Sequence, residues 1–358
     1  MEAYIDYVYV MLVALFCCLL PYQVQKRTSV ILFLFMMLMC GFRAYDVGVD
    51  THNYVDYARL SDISRYKFGP VYPLLKQIAV LFPNNETTFL MLMAILTYFP
   101  LMYISFKFSD YPALSVLMYI IPVGIFFNES FNIARQSIAI IYVLLATVMV
   151  ERQRKKSALG LIVIAFLFHP YTFISIVVIF LDKLRLTRGR VNVLLLVSVI
   201  IGLIGTLSGI QEFLNILMIA TQDNSSELVA KLGKYGDGYD IESGFSVVGQ
   251  LSHILPLLGL CVLGANEESL NNTYYKMMFI GCVMTNIFVS VIFCERIAST
   301  YTIAQLLAVP YIYKTSTVFT RRLILLLIIG TAFLYVYNLK DYSHLPDWTP
   351  YHSVFSEE

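Results

Sequence analysis

Residues 151–190 read ERQRKKSALGLIVIAFLFHPYTFISIVVIFLDKLRLTRGR. Basic clusters flank the apolar part, with Arg152, Arg154, Lys155 and Lys156 before it and Lys183, Arg185, Arg188 and Arg190 after it. Short loops rich in Lys and Arg stay on the cytoplasmic side of a membrane, so a chain running from one cluster to the other must enter and leave on the same side. Residues 157–184 therefore cannot form one span. The two apolar arms, 158–168 and 171–182, hold about a dozen residues each, roughly 18 Å as α-helix and too short for the ~30 Å hydrocarbon core. The stretch predicts a broken hairpin with Phe168, His169 and Pro170 at its tip, within or just below the outer interface.

Outward from this hairpin the chain continues in the same apolar vein. Hydrophobic residues make up 58% and charged residues 14% of 358 positions, and mean hydropathy is +0.72. Soluble domains carry about 25% charge, and no water-soluble core could cover this much apolar surface. Further apolar cores fall at 4–20, 29–42, 87–106, 112–127, 135–150, 191–208, 245–264, 273–292, 298–313 and 323–338. The expected fold is all-α, a polytopic transmembrane helical bundle of about 10–12 membrane segments. Residues 1–358 are read as a single integral membrane domain. The run Tyr4–Leu20 has no basic region before it and no small-residue cleavage signal after it, so it is expected to remain as a span.

Lys26, Arg27, Lys314, Arg321 and Arg322 join the basic clusters around the hairpin on the side expected to be cytoplasmic, while most acidic residues fall opposite. Three long segments lie on the expected outer side: 43–86, 209–244 and the tail 339–358. In the first, Asp50 or Thr51 can cap a short interfacial helix with Tyr54, Tyr57 and Leu60 or Ser61 on one face. Residues 70–82 suggest a re-entrant helix. The segment 209–244, with four glycines from Gly233 to Gly244 and Asp237, Asp240 and Glu242 among them, has the composition of a lid. A net charge of +1 gives no basic field for nucleic acid. The six cysteines form neither a CxxC nor a Cys/His metal spacing and are read as small buried hydrophobes.

Against this background polar residues inside spans stand out. Asn132, Arg135, Gln136 and Ala139 follow a helical i, i+3, i+4, i+7 spacing, so the polar groups share one face that cannot point at lipid. The alternative for Arg135 is snorkelling to lipid headgroups. Arg296, Ser299 and Thr300 repeat the arrangement at the head of another span, where Tyr301 follows and where an ion pair of Glu295 with Arg296 or Arg135 is the competing reading. Two guanidinium groups on the outer side suit a diphosphate, because their forks match phosphate oxygens and stay charged. His169 at the hairpin tip is either structural or a general base, worth typically ~10²- to 10⁴-fold.

Five stretches, in order, resemble the Wzy/EpsG-type polysaccharide polymerases of bacterial inner membranes. They are FRAYDVGVDTHNY (42–54), NIARQSIA (132–139), FHPYTFISI (168–176), ERIASTYTIAQLLAVPYIY (295–313) and WTPYHSVF (348–355). This chain has Gly69-Pro70 where that family often has Glu-Pro, and Pro170 where a small residue often follows the histidine.

The resemblance implies a membrane glycosyltransferase similar to the GT-C class, joining undecaprenyl-diphosphate-linked oligosaccharide repeat units into O-antigen, capsule or exopolysaccharide at the periplasmic face. It implies Arg135 and Arg296 on the diphosphate, and His169, with Asp50 second, as the base for the acceptor hydroxyl. Arg43 would hold a second phosphate or pin the first outer segment through Asp46 or Asp50, and Asn132, Gln136, Tyr54 and Tyr301 would line the glycan site. No cofactor and no metal are implied. The partners implied are the lipid-linked donor and acceptor, membrane lipid, a flippase and a chain-length regulator. Competing readings are an O-antigen-ligase-like transferase, a lipid-linked glycan transporter or flippase, an acyltransferase using His169, and a scaffold.

Overall fold

The computed structural model describes residues 5–48, 50–59, 68–121, 129–207, 247–288, 292–341 and 351–356. Among these the protein is helical throughout, with no strand and an isolated antiparallel bridge between Arg43 and Ser353. The helices are α1 (Ile5–Cys17), α2 (Tyr22–Gly41), α3 (Thr51–Arg59), α4 (Tyr72–Ala79), α5 (Asn85–Phe108), α6 (Pro112–Ile120), α7 (Ala134–Glu151) and α8 (Lys155–Phe168). A 3₁₀ segment (Pro170–Lys183) follows, then α9 (Arg188–Leu207), α10 (Val247–Leu263), α11 (Glu267–Asn271), α12 (Thr273–Ile287), α13 (Ile292–Thr302), α14 (Gln305–Thr315) and α15 (Val318–Asp341). The expected lid, 209–244, and most of the tail lie outside the described residues.

Among the described residues three helices, α2, α5 and α7, are long and apolar enough to cross a bilayer. Their lengths follow from local signals. Asn84 caps α5 by accepting from the Thr87 amide at 3.1 Å, and Glu86 in its first turn complements the helix dipole. Pro100 sits inside α5, as membrane helices tolerate. The side chains of Leu19, Phe99, Phe173 and Phe319 stand exposed on the flanks. An apolar surface of this extent would aggregate in water and is at home against lipid tails. This is an all-α membrane protein.

The hairpin breaks where the sequence predicts. Helix α8 stops at Phe168, His169 is extended at φ −149° and ψ 117°, and Pro170, which has no N–H to continue a ladder, opens the second arm. That arm is a 3₁₀ helix of 14 residues, longer than the few residues usual for this form. At about 2.0 Å per residue it extends about 28 Å, whereas 14 residues of α8 reach about 21 Å. The expectation that both arms fall well short of the bilayer core is therefore corrected for the second, because tighter winding makes the same residue count longer.

The winding also decides its faces. Thr172, Ser175, Val178 and Leu181, three apart, are buried, while Phe173, Ile176, Val177 and Phe180 are exposed. The Tyr301 hydroxyl donates to the Ile174 carbonyl at 2.9 Å, and Lys155 meets Asp182 at 2.6 Å to tie the two arms at the basic end. Helix α8 packs on α7 and on the 3₁₀ segment, and α13 packs on α12, α7 and the 3₁₀ segment. The hairpin tip, the start of α7 and the middle of α13 are thereby held together.

Candidate active site

The residues after α2 form a fixed turn. Gly48 has φ +95°, and a Cβ there would lie 3.0 Å from the Phe131 carbonyl oxygen, so both backbone and space require glycine. Thr51 donates to the Val47 carbonyl at 2.6 Å and accepts from Arg43 Nε at 2.8 Å. Arg43 also donates to the carbonyls of Cys40 and Ser130, each at 3.1 Å, and lies over the Phe131 ring at 5.3 Å. At 1% exposure, with its donors engaged by protein, Arg43 pins the end of α2 to the segment leading into α7. Among the described residues the pin runs through Thr51 and the Cys40 and Ser130 carbonyls rather than through Asp46 or Asp50. Ser130 in turn meets the Tyr98 hydroxyl at 2.9 Å and the Tyr119 hydroxyl at 3.1 Å.

This turn delivers Asp50 to the head of α3, whose Tyr54 and Tyr57 are both buried. Arg135, in the first turn of α7, lies 4.4 Å above the Phe68 ring. Phe68 is itself surrounded by Tyr54, Tyr57 and Tyr72 at ring separations of 5.7, 4.6 and 5.4 Å. Arg135 is therefore turned into an aromatic wall inside the protein rather than snorkelling to lipid. A cation in the first turn of a helix is disfavoured by the macrodipole, and an anion placed against it would satisfy both the charge and the helix end.

The neighbouring residue fixes the second arginine. Gln136 Nε2 donates to the Arg296 carbonyl at 2.7 Å and to Ser299 Oγ at 2.8 Å, while Ser299 donates to the same carbonyl at 2.9 Å. The amide thus staples α7 to α13, leaving the Arg296 side chain exposed. Gln136 Oε1 is buried without a partner among the described residues. Glu295, the proposed ion-pair partner, has its side chain outside the described residues.

The hairpin tip completes the group. The Tyr72 hydroxyl donates to the Phe168 carbonyl at 3.4 Å, and the Phe168 ring stacks on Tyr142 at 5.8 Å. A Cβ on Gly69 would come within 2.5 Å of the Leu167 carbonyl oxygen, so this backbone crosses the tip at a separation that only glycine permits. His169, in the connection between the two arms, leaves Nδ1 buried with no partner among the described residues. Burial pushes its pKa down to about 4, and the positive charges of Arg135 and Arg296 push in the same direction. Burial raises the Asp50 carboxyl, against the opposing pull of Arg135 first, then its bond from Asn53 and the charge of Arg296.

Arg135, Arg296, His169, Asp50 and Tyr54 are thus one group, drawn from α7, α13, the hairpin tip and the head of α3, with Gln136 as its brace. Asn132, half-buried, sits just ahead of α7. Tyr301 is buried and its hydroxyl is committed to Ile174, so it supports the hairpin arm from behind. Phe68, Gly69, Tyr72 and Ser130 belong to the site although no polar pattern in the sequence marks them. The one available signal is the aromatic density of KFGPVY at 67–72.

Residues 26–353 match the family model described as the EpsG family. No curated protein matches, and no solved structure does.

Proposed function

Because the chain belongs to the EpsG family, a family of Wzy-type polymerases, we propose that it is a membrane glycosyltransferase that joins undecaprenyl-diphosphate-linked oligosaccharide repeat units. The reaction takes place at the periplasmic face of a bacterial inner membrane. One lipid-linked glycan is the donor and the non-reducing-end sugar of another is the acceptor. The observation that carries this reading is the pairing of Arg135 and Arg296, which come from separate helices stapled by Gln136 and act on the same histidine and the same aspartate.

The chemistry follows from that pairing. An acceptor hydroxyl attacks the anomeric carbon of the donor and loses its proton to His169. The bond from that carbon to the diphosphate oxygen breaks, and its electron pair leaves with the diphosphate. Charge develops on that oxygen as the bond breaks, and the two fixed guanidinium groups stabilise it in a site where little reorganisation is needed. Asp50 lies within electrostatic reach of both arginines.

Protein purified into lipid nanodiscs and supplied with its own undecaprenyl-diphosphate repeat unit should yield a ladder of lengthening glycans. Arg135→Lys and Arg296→Lys keep the charge but lose the fork, and each should slow the ladder by about 10²-fold. Wild-type rates in both variants would eliminate the arginine clamp. Absence of a ladder from folded protein with authentic substrate would move the reaction to ligation or transport, tested next by glycan transfer to another acceptor and by flipping in sealed vesicles.

A further inference from the structure

The ends of α2, α5 and α7 that lie away from Arg135 each carry a cation over an aromatic ring. Helix α5 starts beside α3, where Asn85 donates to the Ala58 carbonyl at 3.4 Å, so its last turn lies at the far face of the bundle. There Lys107 Nζ donates to the Tyr103 hydroxyl at 3.0 Å and lies 5.8 Å from the centre of the Phe108 ring. Arg152, which follows the last residue of α7, lies over the same ring at 4.4 Å. Its place is set by a tight turn in which Gln153 takes φ +60° and the Arg154 amide donates to the Met149 carbonyl at 2.8 Å. Lys26, near the start of α2, lies between the rings of Tyr22 and Phe106, 5.1 and 5.0 Å from their centres.

A ring face attracts a cation but does not neutralise it. Among the described residues no carboxylate pairs with Lys26, Lys107 or Arg152. The two nearest in sequence are engaged elsewhere: Asp110 with Lys314 at 2.8 Å, and Glu151 with the Thr273 amide at 2.9 Å and the Asn272 side chain at 3.3 Å. The flank of α5 leading to these cations is apolar and open. Phe99, Tyr103 and Phe106, spaced i, i+4 and i+7, are 66%, 43% and 46% exposed. One helix stripe thus runs from bare rings at bilayer depth to positive charge at the bilayer surface, which is the order of chemistries along a phospholipid. We propose that this stripe is a binding site for an anionic phospholipid, whose phosphodiester seats against Lys107 and Arg152 with Lys26 beside it and whose chains lie along Phe99, Tyr103 and Phe106.

Net charge selects the lipid. A zwitterionic headgroup brings its own ammonium to three cations, whereas an anionic one gains about fivefold in affinity from each cation near the bilayer surface. Free phosphate uses the charges and leaves the rings uncovered. The bound lipid joins the far ends of α5 and α7, and it does so whatever reaction takes place at the opposite face.

Phosphatidylglycerol and phosphatidylcholine with the same chains are the probes. The full chain in detergent is titrated with each, and the first bound lipid is followed by native mass spectrometry. Phosphatidylglycerol should bind at least about tenfold tighter, and the absence of a preference overturns the site. Lys107→Gln, at an exposed position, should weaken phosphatidylglycerol by about fivefold, and the triple variant Lys26→Gln, Lys107→Gln, Arg152→Gln should hold the preference to within about twofold. If the triple variant does not fold, the single one decides, and an unchanged affinity there overturns the site. Arg185→Gln, Arg188→Gln, Arg190→Gln removes the same charge from another basic loop and should keep the full preference; equal losses in the two triple variants would replace the site by a diffuse basic surface. Glycerophosphoglycerol, the headgroup without chains, should compete at least about tenfold more weakly than the lipid. Equal competition by it, or by inorganic phosphate, would make this a phosphate site and overturn the lipid.

Discussion

Arg43 and Arg135 stand alike in the sequence, each a lone cation at one end of an apolar run, yet the structure gives them different surroundings. Arg43 is consumed by Thr51, Cys40 and Ser130, whereas Arg135 retains a charge that reaches both Asp50 and His169. The distinction shows in pH dependence. A base must be unprotonated, so activity falls as pH drops through its pKa. For the free enzyme that value is about 4, so the acid limb of kcat/KM should lie near there. An acid limb near the ordinary histidine value of ~6.5 would contradict a buried His169 as the base. Gly69→Ala tests the crowding at the hairpin tip: its Cβ would collide with the Leu167 carbonyl, and a ladder rate reduced by about tenfold or more is expected from the displaced histidine. Rarity made His169, Arg135 and Arg296 legible, since an ionisable group in an apolar run needs a reason. The commitment of Arg43 was not legible, because its partners arrive from residues 51 and 130 through the fold.

At the scale of the element, the hairpin was readable as a hairpin but not as a 3₁₀ arm. Basic clusters at both ends dictate that the chain returns, and His169-Pro170 dictates where it breaks. Between Tyr171 and Leu181 nearly every residue is apolar, so no polar face exposes the winding period, and the choice between 3.0 and 3.6 residues per turn rests on packing. The buried Thr172 and Ser175 are the one hint, and three residues of spacing fit either helix. Single cysteines placed through 172–181 should therefore react with a lipid-soluble maleimide in a period of three, with 172, 175, 178 and 181 protected and 173, 176 and 180 labelled. A period of 3.6, with protection drifting around the helix, would mean that the arm is α-helical and some 7 Å shorter. Tyr301→Phe removes the hydroxyl bond to the Ile174 carbonyl, a loss of about 1 kcal/mol. It should lower ladder formation without changing pyrophosphate affinity, because the tyrosine supports the arm and does not touch the anion site.

Across the whole molecule, composition alone settles that this is a membrane bundle, but it does not show how the C-terminal residues close it. The segment 351–356 returns to the end of α2 and clips it. The Ala44 amide donates to the His352 carbonyl at 3.0 Å, the Val354 amide to the Phe42 carbonyl at 2.9 Å, and the Tyr351 hydroxyl to the Met39 carbonyl at 3.1 Å. His352 Nε2 meets Asp46 at 2.7 Å, and Phe355 packs on Phe42 at 5.2 Å. A bridge of one residue pair carries no alternation for a sequence to display, so only the resemblance of WTPYHSVF to a family motif singled the tail out. Its position explains why such a motif would matter, since the clipped residues flank Arg43, and Arg43 holds Thr51 beside Asp50. The two backbone bonds and the tyrosine bond are together worth about 2–4 kcal/mol, at about 1 kcal/mol each. The exposed His352–Asp46 pair adds less than about 1 kcal/mol. Removing residues 351–358 should therefore lower the thermal unfolding midpoint in detergent by several degrees and the ladder rate by about tenfold, through a loosened Asp50 turn. His352→Gln, which breaks only the ion pair, should leave both within about twofold or a degree of wild type. Equal losses in the two variants would put the ion pair, and not the backbone clip, in charge of the turn. A truncated protein as stable and as active as the full chain would mean that Arg43 and Thr51 hold Asp50 without help from the tail.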